Sequence, residues 1–484
     1  MSEFQAIERR YLTDAWRTSD RAFPVRSPID GATVAEIADL SGDAGRAAAK
    51  EAADVAWAAF ERWRRTTAFE RAEVLRRWHD LMLRDRERLA RAMTLEMGKP
   101  IKESRGEVAY AAGFVRWYAE EAARVYGTEF PTHAPHKRAL ALRSPVGPVY
   151  AVTPWNFPAA MVTRKAAPAL AAGCTFVHKP AEQSPVTALL LAELWREAGG
   201  PDGTLQVLPA ADPVPLSDVL MADPRIRKIT FTGSTEVGRI LYRQSAETIK
   251  RISLELGGHA PFLVFEDADL DRAVVESIAC KFRNAGQTCV CTNRIFVHAS
   301  VAEPFTERYV AAAEALVLGD PLDEATDVGP LVDEAARGKV ERHLEDAVAK
   351  GATVRTGGRA ESGLRFLPTV LSGATQEMLM MQEETFGPVA PIATFDRDED
   401  AVRMANATPF GLAAYLYTRD LTRAWETAEA LDYGIVGVND GVPSAPYAPF
   451  GGTKQSGIGR EGGPWGIEEY LETKYVSIGL QRGS

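Results

Sequence analysis

Cysteine is scarce in this chain: four residues in 484, at positions 174, 280, 289 and 291. That is no disulfide scaffold. It fits a reducing, cytoplasmic compartment, where a cysteine is either catalytic or buried. No run of 18 apolar residues is present, so no membrane helix is expected. The start, Met1-Ser2-Glu3-Phe4, lacks the basic and then apolar layout of a secretory signal. Positive charge is in deficit, 56 Lys and Arg against 66 Asp and Glu for a net −10, which argues against a nucleic-acid partner. The seven histidines are scattered and Cys289-Val290-Cys291 has no second pair, so no metal site is expected. Internal repeats are also missing, and no strand-to-helix turn of the alternating region carries the dinucleotide fingerprint G-x-G-x-x-G; its one literal match, Gly457-Ile458-Gly459-Arg460-Glu461-Gly462, lies near the C-terminus.

What remains is an ordinary globular composition, 46% apolar and 25% charged, in a chain too long for one core. Two or three domains are expected. Residues 42–125 are rich in Ala, Arg and Glu, with apolar residues at helical spacing such as Ala56, Phe60 and Trp63, and predict several long helices. The pattern then changes to strand and helix in turn. Strands are expected at Pro148–Thr153, Cys174–His178, Leu205–Leu208 and Lys228–Phe231, with helices between them and another from Thr235. A second series starts at Phe262–Phe265, followed by a helix over Leu270–Arg283, and continues with strands at Thr353–Thr356 and Val389–Phe395. Such alternation with short loops predicts an α/β fold of two doubly wound parallel sheets with a cleft between them. Ala139–Arg143 and Lys474–Ile478 read as strands outside both series.

Three turns carry reactive groups. Gly286-Gln287-Thr288-Cys289-Val290-Cys291 puts a thiol in a Gly-bounded turn after the 270–283 helix. Glu255 stands 34 residues upstream (289 − 255), in Glu255-Leu256-Gly257-Gly258. Asn156 stands 133 residues upstream (289 − 156), in Thr153-Pro154-Trp155-Asn156-Phe157-Pro158. Together they supply a nucleophile, a base and an oxyanion donor for chemistry at a carbonyl. Singly, each has a bland alternative: a packed thiol, an exposed strand end, a turn asparagine. Phe231-Thr232-Gly233-Ser234-Thr235-Glu236-Val237 lies at a strand-to-helix turn that either binds an anion or merely caps a helix.

These strings, in this order and spacing, resemble the NAD(P)-dependent aldehyde dehydrogenase superfamily over nearly the whole chain. The Cys-Val-Cys motif is most like its succinate-semialdehyde branch. The resemblance implies Cys289 as nucleophile, Glu255 as water-activating base, Asn156 as oxyanion donor and Lys179 as a ribose ligand that assists proton movement. It puts Gly233 and Ser234 at the cofactor pyrophosphate, with Thr153, Trp155 and Val237 lining the same site. Glu384 and Phe386, in Glu383-Glu384-Thr385-Phe386-Gly387-Pro388, fall where the nicotinamide ribose and ring are held.

Glu182, in Lys179-Pro180-Ala181-Glu182, is an acid at a strand's carboxyl end. It suits both adenosine-ribose hydroxyls and opposes a 2′-phosphate, which favours NAD while leaving NADP open. Arg164 and Arg283 match positions that bind the substrate carboxylate. Ser444 and Phe450 flank that pocket, although Gly441-Val442-Pro443-Ser444-Ala445-Pro446-Tyr447 departs from the branch, and Tyr447 is expected to reshape the wall. Cys291 is suggested as a redox partner of Cys289. The implied division is 1–122 with 146–257 for cofactor, 258–457 for catalysis, and 123–145 with 458–484 as a small β oligomerisation element of a homodimer or homotetramer. Succinate semialdehyde leads as substrate. Glutarate semialdehyde and a broader aldehyde range remain open, and a CoA-acylating enzyme is the other chemistry.

Overall fold

The structure, a computed structural model, describes residues 4–480. The Ala- and Arg-rich region forms four helices: α1 (Gly42–Trp63), α2 (Ala68–Arg84), α3 (Arg86–Met97) and α4 (Ile101–Glu121). Thr67 and Glu70 cap α2 reciprocally, each side chain meeting the other's backbone N–H. Gly98, in the left-handed region at φ 81°, ends α3.

The first alternating series builds an eight-stranded sheet. Its centre is Leu205–Val207, Phe176–Lys179, Val149–Val152, Lys228–Thr232 and Arg251–Glu255, all parallel. Numbered along the chain from Val149, these strands stand in the order 3-2-1-4-5. The crossovers are α5 (Ala160–Ala172), α6 (Pro185–Glu197), α7 (Val214–Ala222) and α8 (Thr235–Ala246). One apolar core joins α5 and α6 to α2 and α4, and another joins α1, α7 and α8 on the opposite face. With both faces buried, the strands read as apolar runs rather than alternating ones. The direction of winding reverses between Val149–Val152 and Lys228–Thr232, and the crevice outside their carboxyl ends is where such sheets bind ligands.

The second series forms a seven-stranded sheet around its own core, with α9 (Leu270–Phe282) following its first strand, Ala260–Val264. Six of its strands are parallel. Thr353–Thr356 departs from the expected parallel series: it lies at the edge, antiparallel to Thr369–Ser372. Lys137–Pro145 and Leu471–Gly479 pair antiparallel from Leu471↔Pro145 to Gly479↔Lys137 in a separate three-stranded sheet. Among the described residues, no helix is long and apolar enough to cross a membrane.

Candidate active site

The three reactive turns converge at the carboxyl end of the first sheet. Cys289 is half-buried and borders two cavities. One, of about 320 Å³, runs outward between α4 and the 442–450 loop. The other, of about 380 Å³, lies against Trp155, Gly233, Glu384 and Phe386. A thiol at the junction of two cavities can meet a different molecule through each.

The segment before Cys289 is held in an uncommon shape. Asn284, Ala285 and Gly286 all have positive φ (51°, 55° and 74°), although only the last is glycine. Left-handed backbone at alanine costs about 1 kcal/mol or more and persists only where neighbours enforce it. Here Glu103 accepts the Asn284 backbone N–H at 2.9 Å, and the Asn284 amide donates to the carbonyls of Asn156 and Gln287, both at 3.2 Å. Asn156 donates from Nδ2 to the Gln287 carbonyl at 3.1 Å. A carbonyl only accepts, so this contact fixes the orientation of the amide.

Glu255 is the last residue of its strand, in register with Thr232, and only 4% exposed. The sequence alternative of an exposed strand end is therefore excluded. Neither carboxylate oxygen has a hydrogen-bond partner among the described residues. Burial, and then the nearby charge of Glu461, push it well above the usual carboxylate range. Burial likewise pushes the Cys289 thiol up to about 12, with Arg164 opposing and Glu255 and Glu384 adding to the rise.

The cofactor candidates line the second cavity and a third, of about 420 Å³, that continues past Gly233 and Ser234 to Lys179, Glu182 and Val237. Ser234 caps α8, its hydroxyl accepting the Val237 N–H at 3.3 Å. Gly233 serves the fold as well as any ligand. Its N–H donates to the Glu255 carbonyl at 3.0 Å, and a Cβ there would strike the Phe231 ring at 2.4 Å. Lys179 Nζ meets Glu182 Oε2 at 3.0 Å, and Thr153 bonds His178 at 2.8 Å. Glu384 accepts the Gly258 N–H at 3.0 Å, and burial raises it to about 7. Phe386 stands edge-on to Trp155, centroids 5.7 Å apart. Two joined cavities bounded by a helix N-terminus, with an acid at each end, fit an extended dinucleotide with two riboses.

The two arginines of the first cavity differ. Arg164 is fully buried, ion-paired to Glu461, and stacked 4.0 Å from the Phe450 ring centroid. Burial works against its charge, yet Glu461 together with Tyr110, Glu255 and Cys289 more than offsets this and its pKa rises. Arg283 has no ion pair among the described residues, and its buried Nε is without a partner. Glu103 beside it is raised to about 7 by burial, despite Lys99 and Arg283. Ser444 accepts the Tyr110 hydroxyl at 3.4 Å and lines this cavity. Tyr447 does not reshape the wall: it is 65% exposed, turned toward Trp117, and absent from the lining. Cys291 is fully buried, its thiol facing the Gly286 carbonyl at 3.3 Å, and all four cysteines are free.

Sequence reasoning missed Lys99, Glu107, Lys165 and Glu461, which fold packing gathers around these groups. The sole hint was the pair Arg164-Lys165 on one turn of α5. Glu461 takes both cations, and the two together hold it below the carboxylate range against its burial.

A doubly wound sheet with a nucleotide-sized crevice, and a thiol between that crevice and a small cationic cavity, define an oxidoreductase acting on a carbonyl. Residues 16–476 match the model of the aldehyde dehydrogenase family, and the chain belongs to that family. It is 50% identical over 461 residues to an NADP-dependent succinate-semialdehyde dehydrogenase of Escherichia coli, covering 95% of each chain. It is 49% identical to a glutarate-semialdehyde dehydrogenase of Pseudomonas putida, covering 98% of each. The crystal structure of succinate-semialdehyde dehydrogenase from Burkholderia pseudomallei superposes with a TM-score of 0.96 at 48% identity, covering 98% of both chains.

Proposed function

We propose that this aldehyde dehydrogenase oxidises succinate semialdehyde to the dicarboxylic acid with NAD. The observation that carries the substrate is Arg283, a cation without an ion pair in the cavity that also exposes Cys289. A carboxylate on the far end of a short aldehyde completes it. The relative from Pseudomonas putida keeps glutarate semialdehyde as the second reading.

Cys289 first loses its thiol proton to solvent, which the raised thiol resists and a cationic ring beside it would favour; Sγ then attacks the aldehyde carbon, forming a C–S bond as the C=O π pair moves onto the former carbonyl oxygen. Asn156 Nδ2, with one hydrogen on Gln287, has a second to donate, and the Cys289 backbone N–H has no protein partner among the described residues. Losing one such donor costs about 10²–10³ in rate. Glu384 and Phe386 would hold an oxidised nicotinamide in the cavity that borders Cys289, where it would supply the hydride acceptor that turns the adduct into a thioester. Glu255 then takes a proton from water, hydroxide attacks the thioester, and the acid leaves as the thiolate is restored. An acyl transfer to CoA needs no such base, so Glu255 favours hydrolysis.

Glu384 and Phe386 hold the nicotinamide end, Ser234 the pyrophosphate, and Lys179 with Glu182 the adenosine ribose. Glu182, with a side chain 45% exposed at that end, supports NAD over NADP. The two large sheets support the cofactor and catalytic divisions given above. The three-stranded sheet, with Phe130, Tyr475 and Ile478 exposed, supports a homo-oligomer, and the four free cysteines fit a cytoplasmic setting. Cys291, buried and two residues from Cys289, is the redox partner in this reading. Peroxide inactivation reversed by dithiothreitol, and lost in Cys291→Ala, supports that role; an unchanged response in the variant removes it.

The test is NADH formation with NAD and no CoA, comparing succinate semialdehyde with butanal at equal concentration. Strong preference for the semialdehyde supports the reading, and equal turnover of butanal removes the substrate assignment.

A further inference from the structure

Lys99 and Glu107 form a fully buried ion pair on the wall beside Cys289, and their charged atoms are spent on the chain that carries Asn156. Lys99 opens the segment after α3, and Glu107 lies on α4. Glu107 Oε1 accepts the backbone N–H of Ala159 at 2.9 Å and of Ala160 at 3.1 Å, so it seals the start of α5. Its Oε2 meets Lys99 Nζ. Lys99 Nζ donates to the Asn156 carbonyl at 2.8 Å and sits 3.8 Å from the Phe157 ring centroid. The Asn284 amide is the second donor to that same carbonyl.

The turn from Asn156 to Ala160 is thus gripped at both ends by one pair from the helical layer. The Asn156 carbonyl receives two donors, one from this pair and one from the strained turn preceding Cys289. A carbonyl has two lone pairs, so its orientation is fully determined. These two bonds anchor the Asn156 backbone; without them the Cα of Asn156 is free to shift and to carry its carboxamide away from the Gln287 carbonyl.

We propose that Lys99 and Glu107 are positioning residues for the reaction: they act through the Asn156 backbone to hold its carboxamide where the oxyanion forms. The inference rests on Asn156 as oxyanion donor. It makes Lys99 a brace rather than a ligand of the substrate carboxylate, although it lines the same cavity.

The test is a double-mutant cycle of Lys99→Met with Asn156→Ala, read as the NADH burst rate and kcat/KM for both succinate semialdehyde and butanal, with melting temperature and the KM for NAD as controls. A group displaced by about 1 Å costs on the order of 10²-fold. Lys99→Met is therefore expected to slow the burst roughly 10- to 100-fold for both aldehydes alike. It adds little in the Asn156→Ala background, because nothing remains to position. Should the single variant not fold, Lys99→Met/Glu107→Gln removes both charges and keeps an acceptor for the α5 amides, and carries the same cycle.

A loss confined to succinate semialdehyde overturns the inference and makes Lys99 a substrate ligand. Equal loss with and without Asn156 overturns it as well, leaving a structural pair. If Asn156→Ala itself costs nothing, the oxyanion reading fails first and takes this inference with it.

Discussion

Replacing Arg283 by methionine keeps an unbranched side chain but removes a cation that no protein carboxylate among the described residues balances by an ion pair, and whose guanidinium stands 5.4 Å from the Phe157 ring centroid. Arg164 cannot stand in, because Glu461 already holds its guanidinium. A hydrogen bond to a charged group is worth about 1.5–3 kcal/mol. At about 1.36 kcal/mol per decade, Arg283→Met lowers kcat/KM for succinate semialdehyde roughly 10- to 150-fold. Butanal has no carboxylate, so its kcat/KM should stay within about threefold, a change under about 0.7 kcal/mol. The assay is initial-rate NADH formation over a range of each aldehyde at saturating NAD. Arg164→Met supplies the contrast: it leaves the buried Glu461 carboxylate near Glu255 with Lys165 as its remaining partner, and both aldehydes should lose rate together. An Arg283 variant that loses both substrates equally, or neither, refutes the assignment.

Glu182→Ser removes the charge that opposes a 2′-phosphate, so kcat/KM for NADP should rise about tenfold or more relative to NAD, a shift of at least about 1.4 kcal/mol; an unchanged ratio places cofactor choice elsewhere. Gly106 lies on α4 at the mouth of the outer cavity, and a Cβ there meets nothing within 4 Å. Gly106→Val should fold normally and lower kcat/KM for a bulky aldehyde such as benzaldehyde roughly tenfold more than for succinate semialdehyde, within the about 1–3 kcal/mol that a pocket wall discriminates; equal effects would show that this mouth does not gate. Because Glu255 is raised, it is protonated at low and neutral pH and becomes a base as pH rises. Steady-state turnover should therefore climb through the neutral into the mildly alkaline range, and a flat profile would argue against Glu255 as the base.

The reactive trio was legible because each member sits in a Gly- or Pro-marked turn whose role depends on local chain shape. The central strands were legible because burial on both faces makes them continuous apolar runs. The short strands Arg10–Leu12, Trp16–Thr18, Ala22–Arg26 and Thr33–Ala38 passed unread. They are polar on one side or lie at a sheet edge, and one contains Pro24, so no period marks them. Thr353–Thr356 was recognisable as a strand, but nothing in four residues fixes direction, and its antiparallel pairing is a property of its partner. The charged brace and the Glu461 cluster were out of reach for a different reason. Lys99 and Glu107 are ordinary residues of an amphipathic helical region until α4 packs on α5, and Glu461 lies 297 residues beyond Arg164 (461 − 164). Arg164 matches a carboxylate-binding position in the sequence, and its ion pair with Glu461 is invisible at that separation.

The most direct test of the central claim is to trap the thioester. Glu255→Gln, mixed with NAD and succinate semialdehyde, should give one rapid burst of NADH per active site and then stall, and mass spectrometry should find the succinyl group on the Cys289 peptide. Full turnover by that variant, or an acyl group on Cys291 or nowhere, would contradict the account.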